Sequence, residues 1–426
     1  MERFNHNLSH ALFVAGDLGR LQTLCRIPVI AGDSISLSLT GNARLGQLRR
    51  EMVLNCEIVI AAFYVPHRHV YGDDWITLVR SGYDEAVTLT SGPVYGDQRY
   101  MKLNLTGTPT LPLWITGGYN SIWNFFWRAP TDDANIKALN ALETAFSRGG
   151  NFGSVIGRIG DKPWASGVEG EATDTEREVT VVANQLDIVD IQEAQARLTS
   201  EQRRAFYGTR YNNSLQRTWG GSAHPDADQR PTMLWKTVGT LAGYDIDATG
   251  DTSVGTYSGK GVSKIRFNMP FKYMPEHGAL WVLMAVRPPT VYAFEKHFLD
   301  DLVNPTYQQF LGDPDFIRAA PPIPVSADDY FSGGATNDLG SHPSFQYMRY
   351  EPDHVNPLYR GVSGFPFPTT TPVSADEVRY HTNAEYDGMF SSQVLGQWRL
   401  DGEAFVHARR VIPPSSTSIF AGSDLG

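Results

Sequence analysis

The amino-acid sequence predicts a mainly β protein, an antiparallel β-sandwich with long inserted loops that carry a few helices. Three observations predict this fold class. The 426 residues include 40 Gly and 26 Pro, which suit many turns, whereas only 19% of the residues are charged. Strand-like patterns occupy residues 34–65, 264–290 and 395–412. Long Gly- and Pro-rich segments with scattered helical patterns separate these stretches.

The first strands are expected between residues 34 and 65. Residues 34–40 (SISLSLT) alternate polar and apolar side chains with a period of two, as a half-buried strand does. Residues 57–65 (EIVIAAFYV) are apolar almost throughout, which predicts a strand covered on both faces. Pro66 is expected to end this strand, because proline has no N–H to donate to a neighbouring strand.

Residues 264–273 (KIRFNMPFKY) show a second clear alternation. Pro270 falls among the outward-facing positions, where its missing N–H predicts a sheet edge or a bulge. Residues 279–286 follow as another fully apolar strand. The alternating side chains expected to face the core are Ile265, Phe267, Met269, Phe271 and Tyr273.

Late in the sequence, residues 397–400 and 403–411 flank the pair Asp401-Gly402. An Asp-Gly pair between two strand-like stretches favours a two-residue turn. The sequence therefore predicts a β-hairpin with its turn at these two residues.

Helical patterns are fewer. Asp73 and Asp74 precede a short apolar stretch at residues 75–79, which predicts a helix capped by an aspartate. Thr199 stands three residues before Gln202, as in a capping box. The stretch after it carries aromatic and apolar residues at helical spacing and reaches Gly220-Gly221, where a helix is expected to end.

These elements predict one core built from strands that lie far apart in the sequence. No internal repeat or low-complexity linker divides the chain. A jelly roll with oversized loops fits this distribution. We expect a single domain over residues 1–426, with core strands mainly in 20–66, 255–290 and 378–412. Large insertions are expected at about 67–254 and 291–377.

The composition excludes several classes of protein. The formal net charge is −10, and no run of Lys or Arg is longer than two, so the chain lacks the basic stripe of a self-sufficient nucleic-acid-binding protein. Two cysteines, Cys25 and Cys56, cannot form a disulfide framework for this length. The longest apolar run has eight residues, 279–286, too few to span a membrane, and no signal peptide is visible. We expect a soluble protein made in a reducing cytoplasm.

Three polar stretches are candidates for chemistry. His67 and His69 share a face if the strand before them continues, so they could grip a metal, although a packing or interface role is favoured. The pair Asp73-Asp74 resembles a metal-binding pair, but helix capping explains it. Residues 275–278 (PEHG) could pair an acid with a base, yet Pro and Gly at their ends are typical of a turn between strands.

The sequence carries no Gly-x-Ser-x-Gly elbow, phosphate-binding Gly-rich loop or zinc-helix motif. The sequence therefore offers no motif that would identify a catalytic residue, a cofactor or a metal site. Two alternatives remain open at this stage. A jelly-roll carbohydrate-binding protein or glycoside hydrolase could use two distant carboxylates among the 46 acidic residues. A nucleic-acid-binding protein of another kind would show salt-sensitive affinity for DNA.

The most unusual composition lies at residues 119–128 (YNSIWNFFWR). Its rings exceed what one amphipathic helix buries, so we expect them to fill the core or subunit contacts. The alternative is stacking on nucleic-acid bases, with Arg128 on a phosphate. The candidates for interface or DNA contact are therefore His67, Arg68, His69, Tyr71, Trp123, Phe126, Trp127 and Arg128.

One stretch, residues 63–72 (FYVPHRHVYG), is distinctive enough that chance would rarely supply it. Further distinctive stretches follow in order along the chain, at residues 228–231 (DQRP), 243–247 (GYDID), 275–278 (PEHG), 286–290 (VRPPT) and 364–367 (GFPF). Together with residues 28–34 (PVIAGDS), they resemble the major capsid protein (F protein) of phiX-type microviruses. The similarity is colinear over nearly the whole chain and is weakest at about 85–180 and 295–340.

This resemblance implies an eight-stranded antiparallel jelly roll of the viral capsid type. It implies a T=1 icosahedral shell of sixty copies that packages circular single-stranded DNA, located in the virion and assembled in the cytoplasm of the bacterial host. It also implies partners, namely a small basic DNA-binding peptide, scaffolding proteins, a spike protein and a pilot protein, and no membrane. The family has no catalytic residues to carry over, so the resemblance implies that the protein is not an enzyme, and we expect no catalytic residue, no cofactor and no metal site.

Overall fold

The computed structural model describes two large N-terminal segments and a series of shorter ones. The described residues are 2–48, 55–81, 87–95, 99–103, 105, 107–128, 136–142, 211–221, 230–244, 260–288, 294–301, 303–304, 306–307, 323–332, 338–342, 346–349, 351–352, 354–356, 358, 389–390 and 396–412. Strands dominate this part of the chain, as the sequence predicts.

The strands are β1 Phe4–Asn7, β2 His10–Gly16, β3 Leu21–Val29, β4 Ser34–Leu45, β5 Cys56–Pro66, β6 Ser91–Val94, β7 Thr110–Pro112, β8 Thr232–Leu241, β9 Gly243–Tyr244, β10 Lys260–Tyr273, β11 Gly278–Arg287, β12 Ile323–Ser326, β13 Asp338–His342 and β14 Trp398–Arg410. The α-helices are α1 His67–Tyr71, α2 Asp73–Ser81, α3 Leu113–Ile122, α4 Tyr211–Trp219 and α5 Ala327–Tyr330. A π-helical turn, Trp123–Trp127, continues α3, and short 3-10 turns lie at Arg99–Met101, Phe298–Asp301 and Gln346–Arg349.

Two antiparallel sheets form the sandwich. The six-stranded sheet has the order β1-β14-β4-β10-β9, with β2 also paired to β14. The four-stranded sheet has the order β3-β11-β5-β8. Neighbouring strands in both sheets come from distant parts of the chain, so the predicted antiparallel β-sandwich with long insertions is confirmed.

The main core fills the space between the two sheets. Alternate residues of β4 point into it, and β5 and β11 are buried on both faces, as their sequences predict. Cys25 and Cys56 lie in this core as free thiols. A second core covers the outer face of the four-stranded sheet with side chains of α1, α3 and the π-helical turn. The second core therefore fastens part of the first insertion to the sandwich.

Strand β10 departs from its predicted pattern at Pro270. Ile265, Phe267 and Met269 are buried as predicted, but Phe271 and Tyr273 are about half exposed, at 49% and 51%. The register between β10 and β4 shifts between Met269 and Lys272. The predicted bulge at Pro270 is thus confirmed, and it turns the next side chains outward, so the inward prediction for Phe271 and Tyr273 is wrong.

The predicted hairpin at Asp401-Gly402 is also wrong. Strand β14 runs without interruption through both residues and pairs with β2 on one side and β4 on the other. A Cβ atom on Gly402 would lie 2.5 Å from the Thr40 carbonyl oxygen. Glycine at this position permits a close approach between strands rather than a turn.

The two predicted helices that fall on described residues are present and differ from the prediction in detail. Asp73 and Asp74 lie in the first turn of α2 rather than before it, where their charges still favour the helix dipole. Helix α4 ends at Trp219, and the next residue, Gly220, has a φ of 68°, as a glycine after a helix end often does. The expected capping box at Thr199 and Gln202 lies outside the described residues. No helix in the described part of the chain is long and apolar enough to cross a membrane.

Candidate functional site

Both blocks of candidate residues lie on the outer face of the four-stranded sheet. The first block forms α1, directly after β5, and the second forms the π-helical turn after α3. His69 joins them, since its Nε2 lies 2.8 Å from Oγ of Ser121 and its ring centre 6.0 Å from that of Phe125. The fold therefore brings together residues that are 52 positions apart.

The two histidines of α1 do not share a strand face, so that prediction is wrong. The backbone becomes helical at His67, and residues two apart in an α-helix point in different directions. The His67 ring packs instead against Trp75 and Trp114, with ring centres 4.7 and 5.5 Å away. Within the described residues, no group of three His, Cys, Asp or Glu side chains could hold a metal ion.

Arg68 belongs to a buried polar network centred on Glu276. Its Nε and Nη2 donate to the two carboxylate oxygens of Glu276 at 3.0 and 3.1 Å. The Tyr211 hydroxyl donates to Oε2 of the same carboxylate at 2.9 Å, and the Tyr64 hydroxyl donates to the Glu276 carbonyl at 2.8 Å. The Glu276 residue is only 1% exposed.

This network ties three separate elements together. Glu276 lies in the link between β10 and β11, Arg68 in α1 and Tyr211 in α4. The link is a tight connection between strands, as residues 275–278 predict, but its glutamate is a buried structural anion. Sequence reasoning missed this role, because a turn residue is normally solvated; the only signal was an acid directly between two strongly apolar strands.

Three histidines around α1 are kept neutral by burial. Burial lowers the pKa of His67 to about 4, and the neighbouring His277 lowers it further. The pKa of His69 also falls to about 4, through burial first and Arg68 second. Burial lowers the pKa of His277 to about 4, although the Glu276 carboxylate opposes this shift. At neutral pH the cluster therefore contains the Arg68–Glu276 ion pair and uncharged imidazoles.

The aromatic block divides into a buried and an exposed part. Trp123 and Trp127 are 1% and 7% exposed and belong to the second core, so the predicted core role is confirmed for these two rings. Phe125 and Phe126 are 42% and 37% exposed. The Phe126 ring lies 4.8 Å from that of Phe63. The exposed pair thus remains available for contacts outside the chain.

Arg128 follows the π-helical turn and is partly buried. Its backbone N–H donates to the Trp123 carbonyl at 2.9 Å and closes the last turn.

Two asparagines of the same region hold residues 136–142 in place through hydrogen bonds to their backbone. Asn120 donates to the carbonyls of Ala138 and Ala141 at 2.8 and 2.9 Å, and Asn124 exchanges two hydrogen bonds with the backbone of Lys137.

A cavity of about 610 Å³ opens beside α1. One wall is aromatic and consists of His67, Tyr71, Trp75 and Trp114, while β6, β7 and the residues before β6 form the other. Among the described lining residues there is no carboxylate. The described part of the cavity wall therefore offers no acid pair of the kind that a glycoside hydrolase uses.

The contacts of Glu276 and of the histidines around α1 favour a structural role for these side chains over a catalytic one. The Glu276 carboxylate accepts hydrogen bonds from Arg68 and Tyr211, and the histidines are packed among rings and neutral. Buried, satisfied groups of this kind fix the position of an element. The fold and the site define a β-sandwich protein in which a buried polar cluster fastens part of a large insertion to the sandwich.

Comparison with known proteins identifies the family of this β-sandwich protein. The sequence matches the family of the capsid protein (F protein) over residues 1–145 and 160–420. It is similar to Capsid protein F of Enterobacteria phage phiK, with 34% identity over 98% of this chain and 97% of the relative. The proteins of the same name from Escherichia phages G4 and alpha3 are 31% and 32% identical over the same shares.

The chain therefore belongs to the capsid protein F family, and the resemblance seen in the sequence is confirmed. It is a structural component of a bacteriophage virion that self-assembles into a shell, and it is not an enzyme. The alternative of a glycoside hydrolase is thereby set aside. The part played by each candidate residue at an interface or on DNA stays a prediction.

Proposed function

We propose that sixty copies of this chain form a T=1 icosahedral shell that packages circular single-stranded DNA. The observation that carries the proposal is the end-to-end similarity to capsid proteins, which covers 98% of this chain and 97% of each relative. Such coverage means that the sandwich strands and the insertions both have counterparts in those capsid proteins.

Several apolar side chains are exposed on the isolated chain, which supports the proposal that they are buried against other copies of it. After β11, Val303 is 88% exposed, Tyr307 64% and Leu358 82%. On the first insertion, Phe125 and Phe126 are partly exposed as well. Subunits of a closed shell bury such side chains around the symmetry axes, and many modest contacts together stabilise the particle.

We infer further that the sandwich is an eight-stranded jelly roll. The strands β2, β14, β4 and β10 lie side by side in one sheet, and β3, β11, β5 and β8 in the other. Along the chain, the path changes sheet at nearly every step, from β2 to β3, β4 and β5, and later from β8 to β10, β11 and β14. Two interleaved sheets of this kind are typical of jelly rolls. One domain over residues 1–426 is part of the same proposal.

The proposed partners follow from the family resemblance and the charge. A net charge of −10 fits a division of labour in which a small basic peptide supplies positive charge to the packaged DNA. Scaffolding, spike and pilot proteins complete the proposed set. Assembly is expected in the cytoplasm of the bacterial host.

Mass measurement of assembled particles tests the proposal. Sixty chains of 47.2 kDa amount to about 2.8 MDa of this protein. The chain is co-expressed with its neighbouring genes, and particles are examined by electron microscopy and native mass spectrometry before and after nuclease-resistant DNA is extracted. Uniform icosahedral particles with sixty copies and circular single-stranded DNA support it. A different copy number, or particles that never contain DNA, would refute it.

A further inference from the structure

The two edge strands of the four-stranded sheet differ in how much of them is covered. The sheet has the order β3-β11-β5-β8, so β3 and β8 form its two edges. In β3, seven of nine residues are buried, whereas in β8 only the last of ten residues, Leu241, is buried. None of the described strands pairs with the second edge of β8. The N–H and C=O groups along such an edge can pair with a further strand.

Few features of β8 protect this edge from pairing. Natural edge strands that stay unpaired commonly carry several charges or a proline, but residues 232–241 contain one charge, Lys236, and no proline. A bulge interrupts the pairing of β8 with β5 before Trp235, and residues 235–241 pair with β5 without irregularity. Apolar side chains are exposed along β8, namely Met233 (46%), Trp235 (40%) and Val238 (51%). Residues 235–241 therefore form a regular and partly apolar strand edge.

A second copy of β8 fits this edge by symmetry. When a two-fold axis relates two identical antiparallel strands, one residue lies opposite its own copy, and residues at equal distances before and after it lie opposite each other. A closed icosahedral shell has such axes between neighbouring subunits. Whether β8 can pair with itself therefore depends on which of its residues lies at the axis.

Among the central residues of β8, Thr237 gives the best self-complementary register. Lys236 at the axis would place two ammonium groups opposite each other, which destabilises a sheet. Thr237 at the axis pairs two hydroxyl side chains and places Lys236 opposite Val238 of the second copy. The same register places Trp235 opposite Gly239, where an added Cβ atom would meet no atom within 4 Å. An aromatic ring that covers a glycine of the neighbouring strand stabilises a sheet edge.

The Trp235 ring lies where this pairing would extend the main core. Its pairing partner on β5, Ala62, belongs to that core, so Trp235 points to the side of the six-stranded sheet. Nζ of Lys272 on β10 lies 5.8 Å from the centre of the ring. Pairing of two copies would bury the exposed part of both rings. A register centred on Val238 would instead place the ring opposite Leu241, which is already buried.

We propose that β8 pairs antiparallel with β8 of a second copy across a two-fold axis of the shell, with Thr237 at the axis. The two four-stranded sheets then form one continuous sheet of eight strands. The inference rests on the proposed icosahedral shell and adds the contact that joins subunits at its two-fold axes. A second copy is favoured over a different protein, because β8 complements itself in this register and every subunit of the shell carries the same edge.

A matched pair of charge substitutions tests the pairing and its register. Thr237→Glu places two carboxylates opposite each other at the axis, whereas Val238→Glu places a carboxylate opposite Lys236 of the second copy. Like charges directly opposite each other destabilise a sheet, and opposite charges stabilise it. Thr237→Glu should therefore lower the particle yield about tenfold or more, and Val238→Glu should leave it within about twofold.

The yield of particles is measured by sedimentation after co-expression with the neighbouring genes. Urea unfolding of the isolated chains checks that both variants fold, as expected for side chains that are exposed or partly exposed. Equal yields for Thr237→Glu and Val238→Glu would overturn the inference. The reverse order of yields would overturn the register centred on Thr237.

Cysteine crosslinking tests the same contact without a charge. Cα atoms of directly opposite residues lie about 4.5 to 5.5 Å apart, within the range that a disulfide spans. Mild oxidation of Thr237→Cys particles should therefore give a dimer of twice 47.2 kDa, while the buried Cys25 and Cys56 stay unreactive. Thr240→Cys is the matched control, because its two copies lie about 20 Å apart along the strands. Equal dimer formation by the two variants would contradict the proposed register.

Hydrogen exchange of the unmodified protein separates this inference from the proposed function and depends on no substitution. The amide groups of residues 235–241 should exchange at least about tenfold more slowly in particles than in the isolated chain. Equal exchange in icosahedral particles and in the isolated chain would reject the pairing while the shell stands. Slow exchange without a Thr237→Cys dimer would show that another occupant covers the edge, which also rejects the inference. The absence of uniform icosahedral particles would reject the proposed function itself.

Discussion

Glu276→Gln should destabilise the folded chain by about 3 to 5 kcal/mol, because it leaves the Arg68 guanidinium buried beside an uncharged amide. The side chains of Arg68 and Glu276 are only 12% and 2% exposed, so water cannot replace the lost charge. The carboxylate accepts both guanidinium bonds and the Tyr211 hydroxyl, whereas a glutamine offers a single acceptor oxygen. The loss should therefore lie in the range for a broken buried pair.

Urea unfolding of the purified full chain at pH 7 measures this loss, and hydrogen exchange locates it. Exchange should speed up most in α4, since Tyr211 holds that helix through the same carboxylate. Asp401→Asn is the matched control: it also turns a carboxylate into an amide, but its partner Arg44 is 52% exposed. That change should cost less than about 1 kcal/mol.

Removing both charges provides the decisive comparison. Arg68→Met combined with Glu276→Gln takes away the buried cation as well, so the double variant should recover much of the lost stability. A loss for Glu276→Gln no larger than that for Asp401→Asn would refute the buried-pair explanation. A double variant less stable than Glu276→Gln alone would refute it too, since the unpaired cation would then not be the cause.

Two further predictions concern pH and the aromatic block. Acid should destabilise the chain, because the unfolded state binds protons below the ordinary histidine pKa of 6.5 while the folded state resists until about pH 4. The groups concerned are His67, His69 and His277. Each of these histidines contributes up to about 3 kcal/mol to the free energy of unfolding, which is present above pH 6.5 and lost as the pH falls towards 4. Urea unfolding midpoints that do not change between pH 6.5 and 4 would contradict this assignment. Trp127→Ala should cost about 3 to 5 kcal/mol in the isolated chain, because this tryptophan is buried in the second core, whereas the exposed Phe126→Ala should cost about 1 kcal/mol and mainly lower particle yield. Thermal unfolding combined with particle yield by sedimentation separates the two, and a normal yield for Phe126→Ala would remove that ring from the subunit contacts.

The sequence predicted the elements whose patterns are decided locally. The uninterrupted apolar run of β11 and the alternation in β4 follow from burial on both faces or on one face. The predicted core side chains of β10 were right as far as Met269 and failed after Pro270, because a bulge reverses which side chains point inward. A sequence can mark the bulge, but the new direction depends on the partner strand.

The sequence could not predict features whose conformation depends on contacts with residues far away in the chain. Asp401-Gly402 has the composition of a turn, yet β14 has neighbours on both sides and cannot reverse there. Glu276 has the composition of a loop, yet Arg68 and Tyr211, which come from two other parts of the chain, keep it buried. In both cases the deciding contact is long-range, and nothing in the neighbouring residues encodes it.

The position of β14 has a consequence for synthesis. This strand is the last element that the structure describes, and it fills the gap between β1 and β2 on one side and β4 on the other. Ribosomes add about 5 to 20 residues per second, so the N-terminal strands wait roughly 20 to 80 s for their neighbour. Until then β4 has an open edge and the six-stranded sheet lacks the strand that joins β1 and β2 to β4. A chain cut short anywhere before Trp398 therefore lacks the strand that joins β2 to β4 and cannot complete the six-stranded sheet.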